Sequence, residues 1–136
     1  EIKRNYQRQE SEAVDMLRQI CNGFLALVKE GIIHRDLKPA NIMKKGKLLK
    51  LGDFGFAKQM QSQSQMVATT VGTPLYMSLE ILKSEQYTSK CDIWALGFIF
   101  YELLHGDTPW TANTELQLVR NIEKIPLDIK RKDLSP

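Results

Sequence analysis

The residues able to do chemistry in this 136-residue chain gather in two short segments. The first is His34-Arg35-Asp36-Leu37-Lys38-Pro39-Ala40-Asn41, and Asp53-Phe54-Gly55 begins twelve residues after Asn41. Between them, Asn41-Ile42-Met43 and Leu48-Leu49-Lys50-Leu51 flank a Lys-rich turn containing Gly46, which predicts a short β-hairpin. Such a hairpin folds the chain back, so that its open end holds Asp36 to Asn41 on one side and Asp53 on the other. A carboxylate, an ammonium and further oxygen ligands in one place suit a reaction whose barrier falls through alignment and through neutralising charged oxygens, as in phosphoryl transfer. By itself, His-Arg-Asp reads equally well as a surface cluster, and Asp-Phe-Gly as a turn. Two further segments follow in order, Gly72-Thr73-Pro74-Leu75-Tyr76-Met77 and Asp92-Ile93-Trp94-Ala95-Leu96-Gly97, and the four together form a specific signal.

These four segments resemble the large lobe of the Ser/Thr protein kinase family, and the resemblance covers essentially the whole chain. It implies that Asp36 accepts or orients the substrate hydroxyl proton, that Lys38 lies against the transferred phosphoryl oxygens, and that Asn41 and Asp53 hold magnesium. Met43 is implied to lie under the adenine ring of ATP, with ordinary core packing as the alternative. His34 and Phe54 resemble members of the hydrophobic spine of active kinases. Lys38, two residues past Asp36, and Thr73 are similar to the Ser/Thr branch, so a Ser or Thr hydroxyl on a protein is the implied acceptor. In that branch the Thr matching Thr73 bridges the residues matching Asp36 and Lys38; a structural loop hydroxyl is the alternative. Asp92 is implied to start the buried central helix, of which Trp94 is part, and to anchor the catalytic-loop backbone. Ser89-Lys90-Cys91-Asp92 also has the form of a helix capping box.

Arg35, beside Asp36, reads as a bare buried cation that requires an anion, and a phosphorylated loop residue is the usual solution in such kinases. Thr69, four residues before Thr73, is the candidate phosphosite, with Arg35 and Lys58 as the phosphate clamp and an upstream activating kinase as the implied partner. Thr70, Ser62 and Ser64 are secondary candidates. Two departures from the family pattern stand out. Ser78-Leu79-Glu80 replaces Ala-Pro-Glu, keeping the acidic residue, whose family partner is an Arg beyond this chain. No Gly-x-Gly-x-x-Gly loop or Val-Ala-Ile-Lys strand is present, so the isolated chain is expected to be inactive. The competing reading is a pseudokinase or truncated-lobe scaffold that binds partners without catalysis. Pseudokinases typically lose the residues matching Asp36, Asn41 or Asp53, and all three are here. Gly106-Asp107-Thr108-Pro109-Trp110 resembles autophagy-initiating kinases.

The elements that must position these residues are largely helical. Val14, Leu17, Ile20, Cys21, Phe24, Leu27 and Val28 recur at helical spacing, predicting a helix over 11–30 capped by Ser11 and ended by Gly31. Residues 91–104 are apolar on nearly every face, as in a helix buried at the centre of a domain, and a last helix is predicted over 114–123. Residues 59–70 are rich in Gln, Ser and Thr with few apolar anchors, which predicts a mobile exposed loop. The expected fold is mainly α with a short β-hairpin, the C-terminal lobe of the kinase fold truncated at both ends. Residues 1–136 would then form one partial domain, running from the helix before the catalytic loop to the helix after the central one. The start at Glu1 and the stop at Ser135-Pro136 suit a piece of something longer.

The bulk properties agree with a soluble globular domain, at 43% hydrophobic and 26% charged residues. Nineteen Lys and Arg against 16 Asp and Glu give a net charge of +3, spread along the chain. The basic stretches at Lys44-Lys45-Gly46-Lys47 and Lys130-Arg131-Lys132 lack interleaved aromatics, which argues against nucleic acid. Cys21 and Cys91 have no partner at metal-ligand spacing and read as buried thiols of a reducing compartment, the cytoplasm or the nucleus. The longest apolar run, Ile93 to Tyr101, is far short of the about 20 residues that span a bilayer.

Overall fold

The computed structural model describes residues 6–62 and 65–136. Helix α1 (Glu10–Lys29) buries Ala13, Met16, Ile20 and Phe24, a stripe at helical spacing that faces the hairpin and the central helix. The cap expected of Ser11 does not hold. Gln9 occupies the cap position without a side-chain hydrogen bond, and Glu10 and Glu12 in the first turn complement the helix dipole instead. Gly31, at φ +66, ends the helix in a left-handed conformation that a side chain would strain.

Strand β1 (Ile32–Ile33) follows at once and pairs antiparallel with β4 (Lys58–Gln59). Between them lies the hairpin of β2 (Ile42–Lys45) and β3 (Leu48–Leu51), in the register Ile42 to Leu51 through Lys45 to Leu48. Among the described residues the sheet content is therefore two separate two-stranded antiparallel sheets, one more than the hairpin that the sequence predicts. The missed pair has only two residues per strand, too short for a period-two pattern to register.

The 59–70 segment is less exposed than its composition predicts. Met60 and Val67 are buried, and Val67 forms an isolated bridge with Tyr87. Together with Ile33, Met77, Ile81, Tyr87 and Cys91 they make a second, smaller core beneath the segment. Two hydrophobic anchors in a polar stretch suffice when both meet the same apolar patch.

After the short helix α2 (Leu79–Leu82), the central helix α3 (Lys90–His105) runs through the main core, and on it Lys90, Ile93 and Gly97 are exposed. Helix α4 (Glu115–Lys124) is capped by Thr114, whose hydroxyl accepts the Gln117 N–H at 3.2 Å. With no ligand or base partner near it in the sequence, His105 reads as a surface or cap residue, yet at the end of α3 it is buried. Its ring stacks on Tyr101 with centroids 3.9 Å apart, and Nδ1 lies 3.1 Å from the Tyr101 carbonyl oxygen. The residues after α4 come back across the end of α3: Tyr101 donates to the Asp128 carbonyl at 2.7 Å and Arg131 to that of Leu104 at 2.8 Å. Cys91 is buried and Cys21 half-buried, both are free, and burial pushes both thiols up from their ordinary range. No helix among the described residues is long and apolar enough to cross a membrane.

Candidate active site

The site begins with a carboxylate buried in the first turn of α3. Asp92 accepts the backbone N–H of His34 at 2.7 Å and that of Arg35 at 2.9 Å, so the central helix holds the loop that follows β1. The capping-box reading of Ser89 to Asp92 does not hold: Ser89 is itself helical and makes no capping hydrogen bond with its side chain, and Asp92 is turned toward the loop. Burial pushes the Asp92 carboxyl above its ordinary value, and the two N–H donors with the nearby His34 and Arg35 oppose that rise.

Arg35 adopts φ +67, a left-handed conformation that costs a non-glycine residue about 1–2 kcal/mol. The surroundings compel it. Its N–H is held by Asp92, and its carbonyl oxygen lies against Gly72, where a Cβ would come within 2.4 Å of it. With Gly72 itself at φ +111, this close approach requires glycine. The expectation of a bare buried cation does not hold. Arg35 is half-buried; its Nε donates to the Phe56 carbonyl at 2.6 Å and its Nη1 to the Tyr87 hydroxyl at 3.4 Å.

The next residue, Asp36, is buried and densely partnered. Its Oδ1 accepts both the N–H and the hydroxyl of Thr73, at 3.0 and 2.9 Å. Oδ2 accepts Nδ2 of Asn41 at 3.1 Å and lies 3.3 Å from the Lys38 ammonium. Lys38 also donates to the Thr73 hydroxyl at 2.7 Å, closing a triangle of Asp36, Thr73 and Lys38 across the loop and the later Gly-Thr-Pro turn. Thr73 is thus not a free loop hydroxyl.

Asn41 sits at the end of a short 3-10 turn, Pro39–Asn41, just before β2. Its amide nitrogen is spent on Asp36, through the 3.1 Å bond and a 2.8 Å bond to the Asp36 carbonyl. Its amide oxygen is left for another ligand. Across the hairpin mouth, the Gly52 N–H donates to the Asn41 carbonyl at 2.9 Å, which sets Asp53 beside the same opening. Asp53 is exposed, at φ +55, with Oδ1 accepting the Gly55 N–H at 3.3 Å. Among the described residues no three His, Cys, Asp or Glu side chains form a metal cage. One carboxylate and one carboxamide oxygen at an open mouth match magnesium, which keeps waters and takes its other oxygens from a phosphate.

His34 ties the two segments together, a role that sequence reasoning missed. Fully buried, it accepts the Asp36 N–H on Nδ1 at 3.2 Å, which puts its proton on Nε2, 3.0 Å from the Gly52 carbonyl oxygen. Its ring lies 5.3 Å from that of Phe54, which is half exposed. Met43 is exposed, so core packing does not explain it. Its terminal methyl stands over Gly52, where a Cβ would approach to 2.8 Å.

The remaining sequence candidates lie further out. Thr69 is exposed, and its carbonyl accepts the Tyr87 hydroxyl at 2.5 Å, so Tyr87 stands between Thr69 and Arg35. Lys58 is half-buried in β4; Thr70 and Ser62 are exposed, and Ser64 lies outside the described residues. Glu80 is half-buried in α2 and makes no ion pair among the described residues. Trp94 stacks nearly parallel to Trp110, centroids 6.3 Å apart. Sequence reasoning also missed Tyr87 and the Tyr76 to Glu102 bond of 2.7 Å, which fastens the Gly-Thr-Pro turn to α3.

The family described as "Protein kinase domain" matches residues 1–135. Among curated proteins the chain is 40% identical over 125 residues to the serine/threonine-protein kinase ATG1a of Arabidopsis thaliana, covering 89% of this chain and 20% of that protein. It is 51% identical over 94 residues to the G2-specific protein kinase nim-1 of Neurospora crassa, covering 68% and 11%. It is 39% identical over 119 residues to the serine/threonine-protein kinase TIO of Arabidopsis thaliana, covering 87% and 9%. The chain spans a fifth or less of the length of these relatives.

Proposed function

Because the chain belongs to the protein kinase domain family, we propose that the natural protein transfers the terminal phosphoryl group of ATP to a Ser or Thr hydroxyl of a protein substrate. The observation that carries this reading is the triangle of Asp36, Thr73 and Lys38. Asp36 orients the acceptor hydroxyl and takes up its proton as the oxygen attacks phosphorus. Lys38 sets a positive charge beside the transferred oxygens, and Thr73 fixes both groups at a distance suited to a short aliphatic hydroxyl. Asn41 and Asp53 present the hard oxygens that would hold magnesium, which supplies charge neutralisation at the phosphates. Met43 forms part of the adenine floor.

In this reading the residues described form the large lobe of the kinase fold, and the 136-residue chain alone is inactive, because it contains neither a Gly-rich phosphate loop nor the strand Lys. Thr69 is the regulatory phosphosite, modified by an upstream kinase and held by Arg35 and Lys58. The cytoplasm or nucleus is the proposed compartment.

The test is transfer from magnesium-ATP to Ser, Thr and Tyr peptides by the natural full-length protein. Transfer to Ser or Thr but not Tyr is expected, and Asp36→Asn should lower kcat by about 10²- to 10⁴-fold with little change in fold. An unsubstituted full-length protein that transfers nothing would move the reading to a non-catalytic scaffold.

A further inference from the structure

We propose that Tyr87 is a positioning residue: its hydroxyl latches the Thr69 carbonyl to the Arg35 guanidinium and so holds the catalytic loop in register while Thr69 carries no phosphate. The proposal deepens the kinase reading and rests on it for its activity arm.

The backbone of Tyr87 exchanges both hydrogen bonds with Val67, at 2.7 and 2.8 Å. Its ring is buried among Ile33, Met60, Val67, Met77, Ile81 and Cys91. Packing alone would be served equally by Phe, so the hydroxyl needs a separate reason. It donates to the Thr69 carbonyl at 2.5 Å and accepts from Arg35 Nη1 at 3.4 Å. The segment 67–69 is therefore pinned at two points by one residue, Val67 by its backbone and Thr69 by its side chain. On the other side, Arg35 connects this latch to Phe56 and, through its own strained backbone, to Asp92, Gly72 and the adjacent Asp36.

The latch uses neutral acceptors for a cation. A phosphate on Thr69 would sit on the same residue whose carbonyl the hydroxyl now holds, and it would bind the guanidinium more strongly than a phenol does. Tyr87 therefore matters most before phosphorylation and least after it. A merely structural tyrosine would matter equally in both states.

The experiment compares the natural full-length protein with its Tyr87→Phe variant, each with Thr69 dephosphorylated and phosphorylated. In the dephosphorylated state Tyr87→Phe should lower kcat by about tenfold, the size of one hydrogen bond to a charged group, with KM for peptide unchanged. In the phosphorylated state the loss should be under about twofold. Amide exchange over 67–70 in the dephosphorylated variant should be about five- to tenfold faster, read without any catalysis. Equal losses in both states, or unchanged kcat and exchange, would overturn the proposal. Phe fills the same buried volume, so the melting temperature should move by no more than about 3 °C; a collapse of the fold would also overturn it, making the hydroxyl a folding determinant. If the unsubstituted protein transfers no phosphate, the kinase reading fails, and the exchange measurement still decides the latch.

Discussion

The two sides of helix α3 solve the burial of polar groups in opposite ways. Toward the loop of His34 to Asn41, Asp92, His34, Asp36 and Asn41 are all buried, and each has partners on other elements. Toward Trp110 and the residues after α4 lies an open apolar groove of about 740 Å³, along which Ser78 Oγ, Trp94 Nε1 and His105 Nε2 are buried without a hydrogen-bond partner among the described residues. A buried polar group that is paired specifies one geometry, whereas an unpaired one only costs stability. Substitutions on the first side should therefore disturb transfer and stability together, and those on the second should touch stability alone.

The sharpest way to break that contrast is Asp92→Ala. It leaves the buried N–H groups of His34 and Arg35 without acceptors, at about 3 kcal/mol or more of stability. Urea unfolding should show this as a lower midpoint, with kcat falling as well because Arg35 and Asp36 lose their anchor. A variant of unchanged stability would mean that the loop holds itself.

Gly72→Ala should come next, at about 2–3 kcal/mol, since it combines a positive φ with a Cβ driven into the Arg35 carbonyl. The expected signature is a fall in kcat out of proportion to the fall in melting temperature, because the clash falls on the residue before Asp36.

The pH dependence of Asp92 sharpens the same side. Its carboxyl is raised in the folded state, so its contribution to stability is full below the ordinary value of 3.8 and is lost as pH rises through the folded value. The stability of the natural protein relative to Asp92→Asn should accordingly fall as pH climbs above about 4 and then level off. A difference that grows over that range would reverse the sign and show that the two N–H donors outweigh burial.

Legibility in the sequence divides along a related line. The chemistry-bearing residues were readable because they are close in sequence: His34 to Asn41 is one run, and the hairpin period explains how Asp53 returns to it. Helix α1 was readable from its period and α3 from its unbroken apolar run, and the bounds of both, like those of α4, fell within a residue or two. The errors arose where a local rule competed with a distant partner. Ser89 to Asp92 satisfies the capping-box spelling, but the donors that Asp92 serves are 57 and 58 residues away. His105 ends α3 but its burial was not readable, because α3, apolar nearly all round, gives no phase from which to tell inside from outside. Tyr87 gave no signal at all, standing alone in a polar stretch, with partners 18 and 52 residues back along the chain.

The smallest expected effect tests the quiet side. Trp94→Phe removes a buried indole N–H that has no acceptor among the described residues, while keeping an aromatic ring against Phe98 and Trp110. Relief of the unpaired donor, worth about 1–3 kcal/mol in the stabilising direction, opposes the loss of part of the stacked surface, which is of similar size. The net change should stay within about 1 kcal/mol, with kcat and KM unmoved, since no hydrogen bond joins Trp94 to the triangle of Asp36, Thr73 and Lys38. A change in kcat without a change in melting temperature would show that the groove side of α3 communicates with the site, and that the two faces are not independent.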